Sequence, residues 1–390
     1  MILLIILCIL LPIHNLLLTM GSMAYVLTVT TGGYDVRLGH IDRIRAIAIL
    51  CMVQVHTAAL IPPEGISIGH PVAFISAAIG GMAAPLFVTI SGWGMYSSAK
   101  RRGSSNNRDF SSWMRWIIPR FIILIFCQFL VNFAFLLERG GRFEWMTPGV
   151  LTLLALAALF GPVLILLKKG QRVVLMLILI LSPLAIGSLG GSDLPWLERV
   201  YSEDGWEWLQ RLLLDGTYPA LPWMAFIVLG SLVEDYRGSS KIKLLTSLGL
   251  FSIGASIIYS YYEGMAWALT RGDALLTFFP ANTPFIFTSV IFVIIIFKLL
   301  EGKEMAGGKP TGGESLSWIE PAGRLSLTIY VSHFVVLGAF ALKMQDESRL
   351  GIYLAFILTM FHTFIWIPLA ILHEKYIPNI SFEGLLRKLN

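Results

Sequence analysis

Long apolar runs separated by short polar segments dominate the pattern of hydrophobic and polar positions along this chain. A helix needs about 20 apolar residues to cross the roughly 30 Å hydrocarbon core of a bilayer. Ten runs are long enough: residues 37–61, 72–98, 116–137, 148–167, 172–190, 219–236, 243–262, 282–300, 321–342 and 350–372. The pattern therefore predicts an all-α polytopic membrane protein of about ten transmembrane helices, in a domain that covers residues 37–374.

The N-terminal residues 1–20 form a further apolar stretch, interrupted by a proline and by polar residues. The stretch lacks the basic start and the small-residue cleavage site of a signal peptide. We expect an extra N-terminal helix and a linker within residues 1–36, and a start of the chain at Met20 or Met23 is an alternative interpretation. Residues 375–390 are expected to form a cytoplasmic tail.

Composition excludes a soluble protein of ordinary make-up, because 56% of the residues are hydrophobic and 14% are charged. A net charge of +5 would suit a nucleic-acid binder in a soluble protein. In a membrane protein the positions of Lys and Arg indicate which loops are cytoplasmic, and this accounts for the positive charge. We therefore expect no nucleic-acid partner. The three cysteines lie in apolar segments without paired spacing, which predicts no metal site.

The loop at residues 99–115 carries the strongest basic cluster: Lys100, Arg101, Arg102, Arg108 and Arg115. By the positive-inside rule this loop is cytoplasmic. The assignment places most of the 29 Lys and Arg residues on the cytoplasmic side of the cell membrane, together with both ends of the ten-helix core. Residues 191–218, acidic and rich in Trp, are then external and suit an interfacial helix.

The first helix of the core combines a charged start with a histidine deep in its apolar run. His56 follows Arg45 by eleven positions, a rise of about 16 Å at about 1.5 Å per residue. The topology puts Arg45 at the cytoplasmic edge and His56 in the outer half of the membrane. An ionisable residue at that depth is a functional-site candidate, and a packed, hydrogen-bonded histidine is the alternative.

Four stretches resemble known membrane acyltransferases. Residues 41–50, with Asp42, Arg45 and Ala46 and with His56 beyond them, resemble the opening helix of the acyltransferase-3 proteins. Three others resemble the group that contains heparan-α-glucosaminide N-acetyltransferase: Pro85-Leu86-Phe87-Val88-x-x-Ser91-Gly92, Tyr218-Pro219-Ala220-Leu221-Pro222-Trp223 with Gly230, and Gly323-Arg324-Leu325-Ser326-Leu327-Thr328-x-Tyr330-x-x-His333. The chain departs from the second group at Ala46, where a Gly is usual.

The resemblance implies transfer of an acyl group, usually acetyl, from cytoplasmic acyl-CoA to a sugar on the far side of the membrane. The expected partners are acetyl-CoA or another acyl-CoA as donor substrate, a carbohydrate acceptor and the lipid bilayer. A homodimer is compatible with the sequence. The sequence does not specify the acceptor.

His56 is the predicted catalytic base, because an imidazole titrates near neutrality and can take the proton of an attacking hydroxyl or amine. A covalent acyl-histidine is the alternative. Ser91 and His333 are expected to orient His56 or to stabilise the oxyanion, although His333 could instead be an interhelical contact. Gln54 and Trp223 are candidates for substrate binding.

The donor phosphates are expected to bind arginines at the cytoplasmic face through charge-assisted, often bidentate hydrogen bonds. The candidates are Arg45, Arg101, Arg102, Arg115, Arg120 and Arg324. A basic loop that only determines topology is the alternative for residues 100–102.

A proton-coupled secondary transporter is the rival hypothesis, with His56, His333 and His362 relaying protons past a site near the bilayer midplane. The chain has neither an evident internal repeat nor a matching pair of broken helices, which favours the enzyme.

Overall fold

Helices make up nearly all of the regular structure. The computed structural model describes residues 38–65, 71–103, 110–236, 241–305, 314–344 and 350–389, so the N-terminal helix and the linker predicted within residues 1–36 lie outside it. The helices are α1 (Gly39–Leu60), α2 (Pro71–Gly103), α3 (Phe110–Ala134), α4 (Val150–Leu166), α5 (Lys169–Ile186), α6 (Trp196–Val200), α7 (Gly205–Gln210), α8 (Ala220–Asp235), α9 (Lys241–Tyr262), α10 (Thr283–Met305), α11 (Glu320–Arg324), α12 (Ser326–Met344), α13 (Ile352–Tyr376) and α14 (Phe382–Lys388).

A helix lies at each of the ten predicted apolar runs, but not every one is suited to cross a bilayer. In the part of the chain that the structure describes, six are long and apolar enough: Gly39–Leu60, Trp113–Ala134, Lys169–Gly190, Thr283–Glu301, Ser326–Lys343 and Ile352–Tyr376. The bent pair Gly205–Asp215 and Ala220–Asp235, with 55° between its halves, makes a seventh if it counts as one span. The polytopic character is confirmed, and the count of ten stays a prediction.

Two short strands qualify the all-α prediction. β1 (Ala266–Leu269) and β2 (Ala274–Thr277) pair in parallel after α9, with Ala268 opposite Leu276. They precede α10 and lie outside the regions that carry the predicted site residues.

Helix α1 lies at the centre of the bundle, packed against α2, α11, α12 and α13. Ile44, Ile49 and Val53 are completely buried along it. Near its start Arg43 forms an ion pair with Glu320 of α11, at 2.9 Å from Nε to Oε1. A Cβ on Gly323 would lie 1.8 Å from the carbonyl oxygen of Asp42, so only glycine allows α11 to cross α1 here.

Helices α2 and α8 approach each other closely through small residues. A Cβ on Gly230 would lie 2.3 Å from the carbonyl oxygen of Thr89, and one on Gly92 would lie 2.6 Å from that of Ile227. Small residues let helix backbones come together in lipid, where van der Waals packing replaces the hydrophobic effect as the driving force. This contact fixes the wall of α2 on which Phe87 and Ser91 lie.

The predicted external segment 191–218 contains α6, α7 and a π-helical turn at Arg211–Asp215. Arg199, 1% exposed, donates hydrogen bonds to the carbonyl oxygens of Gly191, Asp215 and Gly216, the last two at 2.6 and 3.3 Å. Burial lowers the pKa of Arg199 to about 10, against the opposing effect of the Asp215 carboxylate, so its guanidinium stays charged at neutral pH. Arg211 pairs with Asp215 at 2.9 Å.

Candidate active site

The deep histidine of α1 contacts the histidine of α12. His56 Nδ1 lies 2.9 Å from His333 Nε2, and the two rings are within 5° of parallel. His333 is completely buried, whereas His56 keeps part of its surface accessible. The structure thus brings together two residues that are 277 positions apart in the chain.

The hydrogen bonds of the pair define which nitrogen carries each proton. His333 Nδ1 lies 3.1 Å from the carbonyl oxygen of Ile329, which can only accept, so Nδ1 is protonated. In the neutral ring His333 Nε2 then accepts from His56 Nδ1–H. This assignment leaves a lone pair on His56 Nε2, which is the atom a general base needs.

Aromatic rings surround the pair. The Phe334 ring centroid lies 4.6 Å from that of His56 and 4.3 Å from that of His333. Tyr330 contacts His333 at 5.5 Å between centroids and stacks on Phe87 of α2, also at 5.5 Å. The rings exclude water from one side of the histidines.

Arg142 lies beside the pair and did not stand out in the sequence. Its Nη2 donates to the carbonyl oxygen of Ala59, three residues beyond His56, at 2.5 Å, and its positive charge acts on the His56 ring. Trp196 Nε1 donates to the Arg142 carbonyl oxygen at 2.9 Å, which holds the loop. No periodic signal marks Arg142, because it follows a Gly-Gly turn between helices.

A cavity of about 1130 Å³ lies around the charged end of α1. Its basic lining residues are Arg45, Lys100, Arg101, Arg120, Arg324 and Arg387, and its acidic ones are Asp42, Glu234 and Glu383. Apolar side chains complete the walls: among them are Phe87, Ile90, Leu124, Leu151 and Leu154. We call this space the basic cavity. Its excess of positive charge and its apolar walls suit an anionic ligand with an uncharged chain.

Arg120 is a partly buried cation of the basic cavity. Among the described residues its Nη1 is buried without a hydrogen-bond partner, and its guanidinium lies 5.1 Å from the Trp116 ring centroid. Arg45 and Arg102 are near enough to repel it. A partly buried cation that has no counter-ion among the described residues is unfavourable, so the arrangement favours an anionic ligand.

The chain matches a model of a known protein family. A family model of the acyltransferase-3 type, described as an acyltransferase domain, matches residues 38–372. This chain belongs to the acyltransferase-3 family. A search of curated proteins found no match. The match confirms the resemblance that the sequence predicted and makes the protein a member of a family of membrane acyltransferases.

The predicted donor-site residues of this acyltransferase-3 protein divide into two groups. Arg45, Arg101, Arg120 and Arg324 line the basic cavity, whereas Arg102 and Arg115 are exposed and do not. Arg324 Nη2 donates to Glu374 Oε2 at 2.7 Å, and its Nε binds the other oxygen of that carboxylate, so Arg324 is already paired within the protein. Arg45 Nη1 lies 3.5 Å from Asp42 Oδ1, a weaker contact.

The contacts found for Ser91, Gln54 and Trp223 among the described residues are with residues other than the histidine pair. Ser91 lines the basic cavity and donates to the Phe87 carbonyl oxygen at 2.8 Å. Gln54 is buried and donates to Ser76 Oγ of α2 at 2.5 Å, while its Oε1 has no partner in the described part of the chain. Trp223 is completely buried, and its ring centroid lies 4.9 Å from that of Tyr218.

His362 does not extend the histidine pair. Thr57 Oγ1 donates to the Val53 carbonyl oxygen at 2.6 Å, so it accepts from His362 Nδ1 at 2.8 Å. The single proton of the Thr57 hydroxyl is therefore not available to His362. Among the described residues, no group of three or more His, Cys, Asp or Glu side chains could hold a metal ion.

Proposed function

We propose that this acyltransferase-3 protein transfers an acyl group, acetyl in the first instance, from acyl-CoA in the basic cavity to a glycan acceptor, with His56 as general base. The proposal rests on one observation: helix α1 contributes residues both to the basic cavity and to the histidine pair. The cavity surrounds Arg45 at the start of the helix, and the pair of His56 with His333 lies three turns further on.

The basic cavity supplies what a CoA molecule requires. Phosphates bind guanidinium groups through charge-assisted hydrogen bonds. Within the described residues Arg120 Nη1 is a buried donor without a hydrogen-bond partner, and Arg45, whose Nη1 lies 3.5 Å from Asp42 Oδ1, also lines the cavity. The pantetheine arm carries no charge and fits along the apolar walls formed by Ile90, Leu124 and Leu151.

The chemistry follows from the proton positions on the pair. His56 Nε2 removes the proton of the acceptor hydroxyl or amine as its oxygen or nitrogen attacks the thioester carbonyl carbon. The carbon–sulfur bond breaks, and the thiolate receives that proton from the imidazolium to leave as free CoA. His56 Nδ1–H donates to His333 throughout, which stabilises the imidazolium. Attack by His56 itself, giving an acyl-histidine, remains the second route to the same products.

Phe87 and Tyr330 lie between the two parts of the site. Phe87 lines the basic cavity, and its ring stacks on Tyr330, which in turn contacts His333. The acyl end of the donor passes these two rings to reach His56. Because two stacked rings stand between the cavity and His333, we expect a small acyl group such as acetyl to be favoured.

The proposed topology puts the basic cavity on the cytoplasmic side, where acyl-CoA is found, and residues 191–218 outside. Cysteines introduced at Ser104 and at Ser192 test it with a membrane-impermeant maleimide. We expect Ser192→Cys to be labelled in intact cells and Ser104→Cys to be labelled only after permeabilisation. Labelling of Ser104→Cys from outside would overturn the donor side of the proposal.

The transporter hypothesis is less well supported by the hydrogen bonds. A proton passed from His56 to His333 Nε2 would have to leave from His333 Nδ1. That nitrogen faces the carbonyl oxygen of Ile329, and a carbonyl oxygen cannot relay a proton. His362 bonds to Thr57 and not to the pair. The three histidines therefore lie near one another without forming a continuous chain.

Purified protein in detergent with radiolabelled acetyl-CoA tests the proposed function. The wild type should release label as acetate or transfer it to an added glycan extract, and His333→Ala should lose most of this activity because His56 is no longer oriented. His362→Ala is the matched control, a histidine of the same region outside the pair, and should stay near wild type per folded molecule. A wild type that leaves acetyl-CoA intact in detergent and catalyses proton-coupled uptake after reconstitution into lipid vesicles would establish the transporter instead.

A further inference from the structure

The chain turns back after its last long helix. α13 ends at Tyr376, and His373 Nε2 donates to the Ile380 carbonyl oxygen at 2.7 Å across the turn. Ser381 Oγ then accepts from Gly384 N at 2.9 Å and caps the start of α14. Residues 377–389, expected from the sequence to belong to a tail, therefore have a defined path.

Glu383 fastens α14 to the start of α12. Its Oε1 accepts from Leu327 N at 2.5 Å and Thr328 N at 3.1 Å, and its Oε2 accepts from Thr328 Oγ1 at 2.6 Å. The first backbone N–H groups of a helix have no partner within the helix, and a carboxylate there is also favoured by the helix dipole. Glu383 thus satisfies the end of the helix that carries Tyr330 and His333.

One side of α14 borders the basic cavity. Glu383, Leu386 and Arg387 line it, and α14 also packs against α3, the helix of Arg120. Glu383 is engaged with α12, whereas Arg387 forms no ion pair with a carboxylate in the described part of the chain. The charge of Arg387 is therefore available to a ligand.

We propose that α14 forms one wall of the donor site, with Arg387 binding a phosphate of CoA and Glu383 as the positioning residue that holds the helix in place. The proposal rests on the proposed function, because it takes CoA as the occupant of the basic cavity. The family match ends at residue 372 and so does not include α14. A helix that served only to cap α12 would not need a cation on the cavity side.

Calorimetric titration with CoA and with dephospho-CoA, which lacks the 3′-phosphate, tests this role. Arg387→Gln should weaken CoA binding about tenfold or more, the usual value of a charge-assisted hydrogen bond. Lys388→Gln is the matched control: it removes a neighbouring charge from an exposed position that does not line the cavity. Its CoA affinity should stay near that of the wild type. A smaller effect of Arg387→Gln on dephospho-CoA than on CoA would assign the contact to the 3′-phosphate, and an equal effect would assign it to the diphosphate.

Glu383 is tested by two substitutions in the same assay. Glu383→Ala releases α14 and should weaken CoA binding at least as much as Arg387→Gln, whereas Glu383→Gln still accepts N–H hydrogen bonds and should restore part of the affinity. If the wild type binds CoA and both Arg387→Gln and Glu383→Ala bind it with the same affinity, the role of α14 alone is overturned. A wild type that binds no CoA would overturn the proposed function as well.

Discussion

Arg199 and Arg120 both place guanidinium nitrogens inside the protein, but the two groups meet different surroundings. Arg199 donates to three backbone carbonyl oxygens in segment 191–218, beside Arg211, which binds Asp215 and Glu207. Among the described residues Arg120 has a buried Nη1 without a partner, and it lies near two further arginines. Arg199 Nε is also buried without a partner, but protein oxygens bind the other nitrogens of Arg199, whereas no hydrogen bond within the described residues holds Arg120 Nη1.

The difference shows that burial of an arginine does not by itself reveal its role. A buried cation whose hydrogen bonds go to several protein oxygens holds a loop together, whereas a cation with few hydrogen bonds in the protein destabilises the empty protein and is stabilised by a bound anion. Removing an arginine should therefore lower stability at the first cluster and donor affinity at the second. The following predictions compare these two outcomes.

The largest effect is expected for Arg199→Met. The substitution leaves the carbonyl oxygens of Gly191, Asp215 and Gly216 buried without a donor, which we expect to destabilise the protein by roughly 3 kcal/mol or more. The thermal midpoint of the purified protein measures this effect. The CoA affinity of the fraction that remains folded should be unchanged. A thermal midpoint equal to that of the wild type would contradict the structural role of Arg199.

Arg120→Met should show the opposite behaviour. Methionine fills similar space without a charge, so the thermal midpoint of the empty protein should be unchanged or higher. CoA affinity, measured by calorimetry, should fall about tenfold to a hundredfold, because a charged hydrogen bond to phosphate is lost. A lower midpoint with normal CoA affinity would place Arg120 in the structural class with Arg199.

Arg45→Lys sharpens the comparison within the basic cavity. Lysine keeps the charge but loses the planar fork that binds phosphate with two hydrogen bonds. We expect CoA affinity to fall several-fold, less than for Arg45→Ala. Unchanged calorimetric affinity in Arg45→Ala would remove Arg45 from the donor site.

Arg102→Gln should have the smallest effect. Its guanidinium stacks on Trp116 at 5.4 Å, and the side chain is exposed outside the basic cavity. A solvent-exposed charge that does not line the site acts on the ligand only at long range and is screened by salt. We expect CoA affinity to fall about twofold in low salt and to equal that of the wild type at about 0.5 M salt.

The parts of this site that were predictable are those encoded locally. The apolar run and its polar interruptions fixed Arg45 and His56 on one helix at different depths, and α1 has that form. The partner of His56 was a candidate only through resemblance, because contact with His333 depends on how α12 packs. The sequence pointed to neither Arg142 nor Arg387: one follows a Gly-Gly turn, and the other belongs to a helix too short for a periodic signal.

The role of Trp223 and the number of membrane-spanning helices could not be decided from the sequence pattern. Trp223 belongs to a matching motif, yet it packs inside an aromatic cluster with Tyr218 and Phe278, where burial rather than ligand contact determines the residue type. The apolar runs located the helices, but α4 has 17 residues and α8 has 16. Length and bending in the folded bundle, which a hydropathy pattern does not encode, decide whether such helices cross the bilayer.

The most direct test of the central claim is a measurement of transfer, CoA affinity and thermal midpoint on one preparation of His56→Ala. The account predicts a normal midpoint and normal CoA affinity, with acyl transfer reduced by about two to four orders of magnitude, as for loss of a positioned general base. Transfer near the wild-type rate would contradict the role of His56. A joint fall of midpoint, affinity and transfer would make His56 a structural contact of His333.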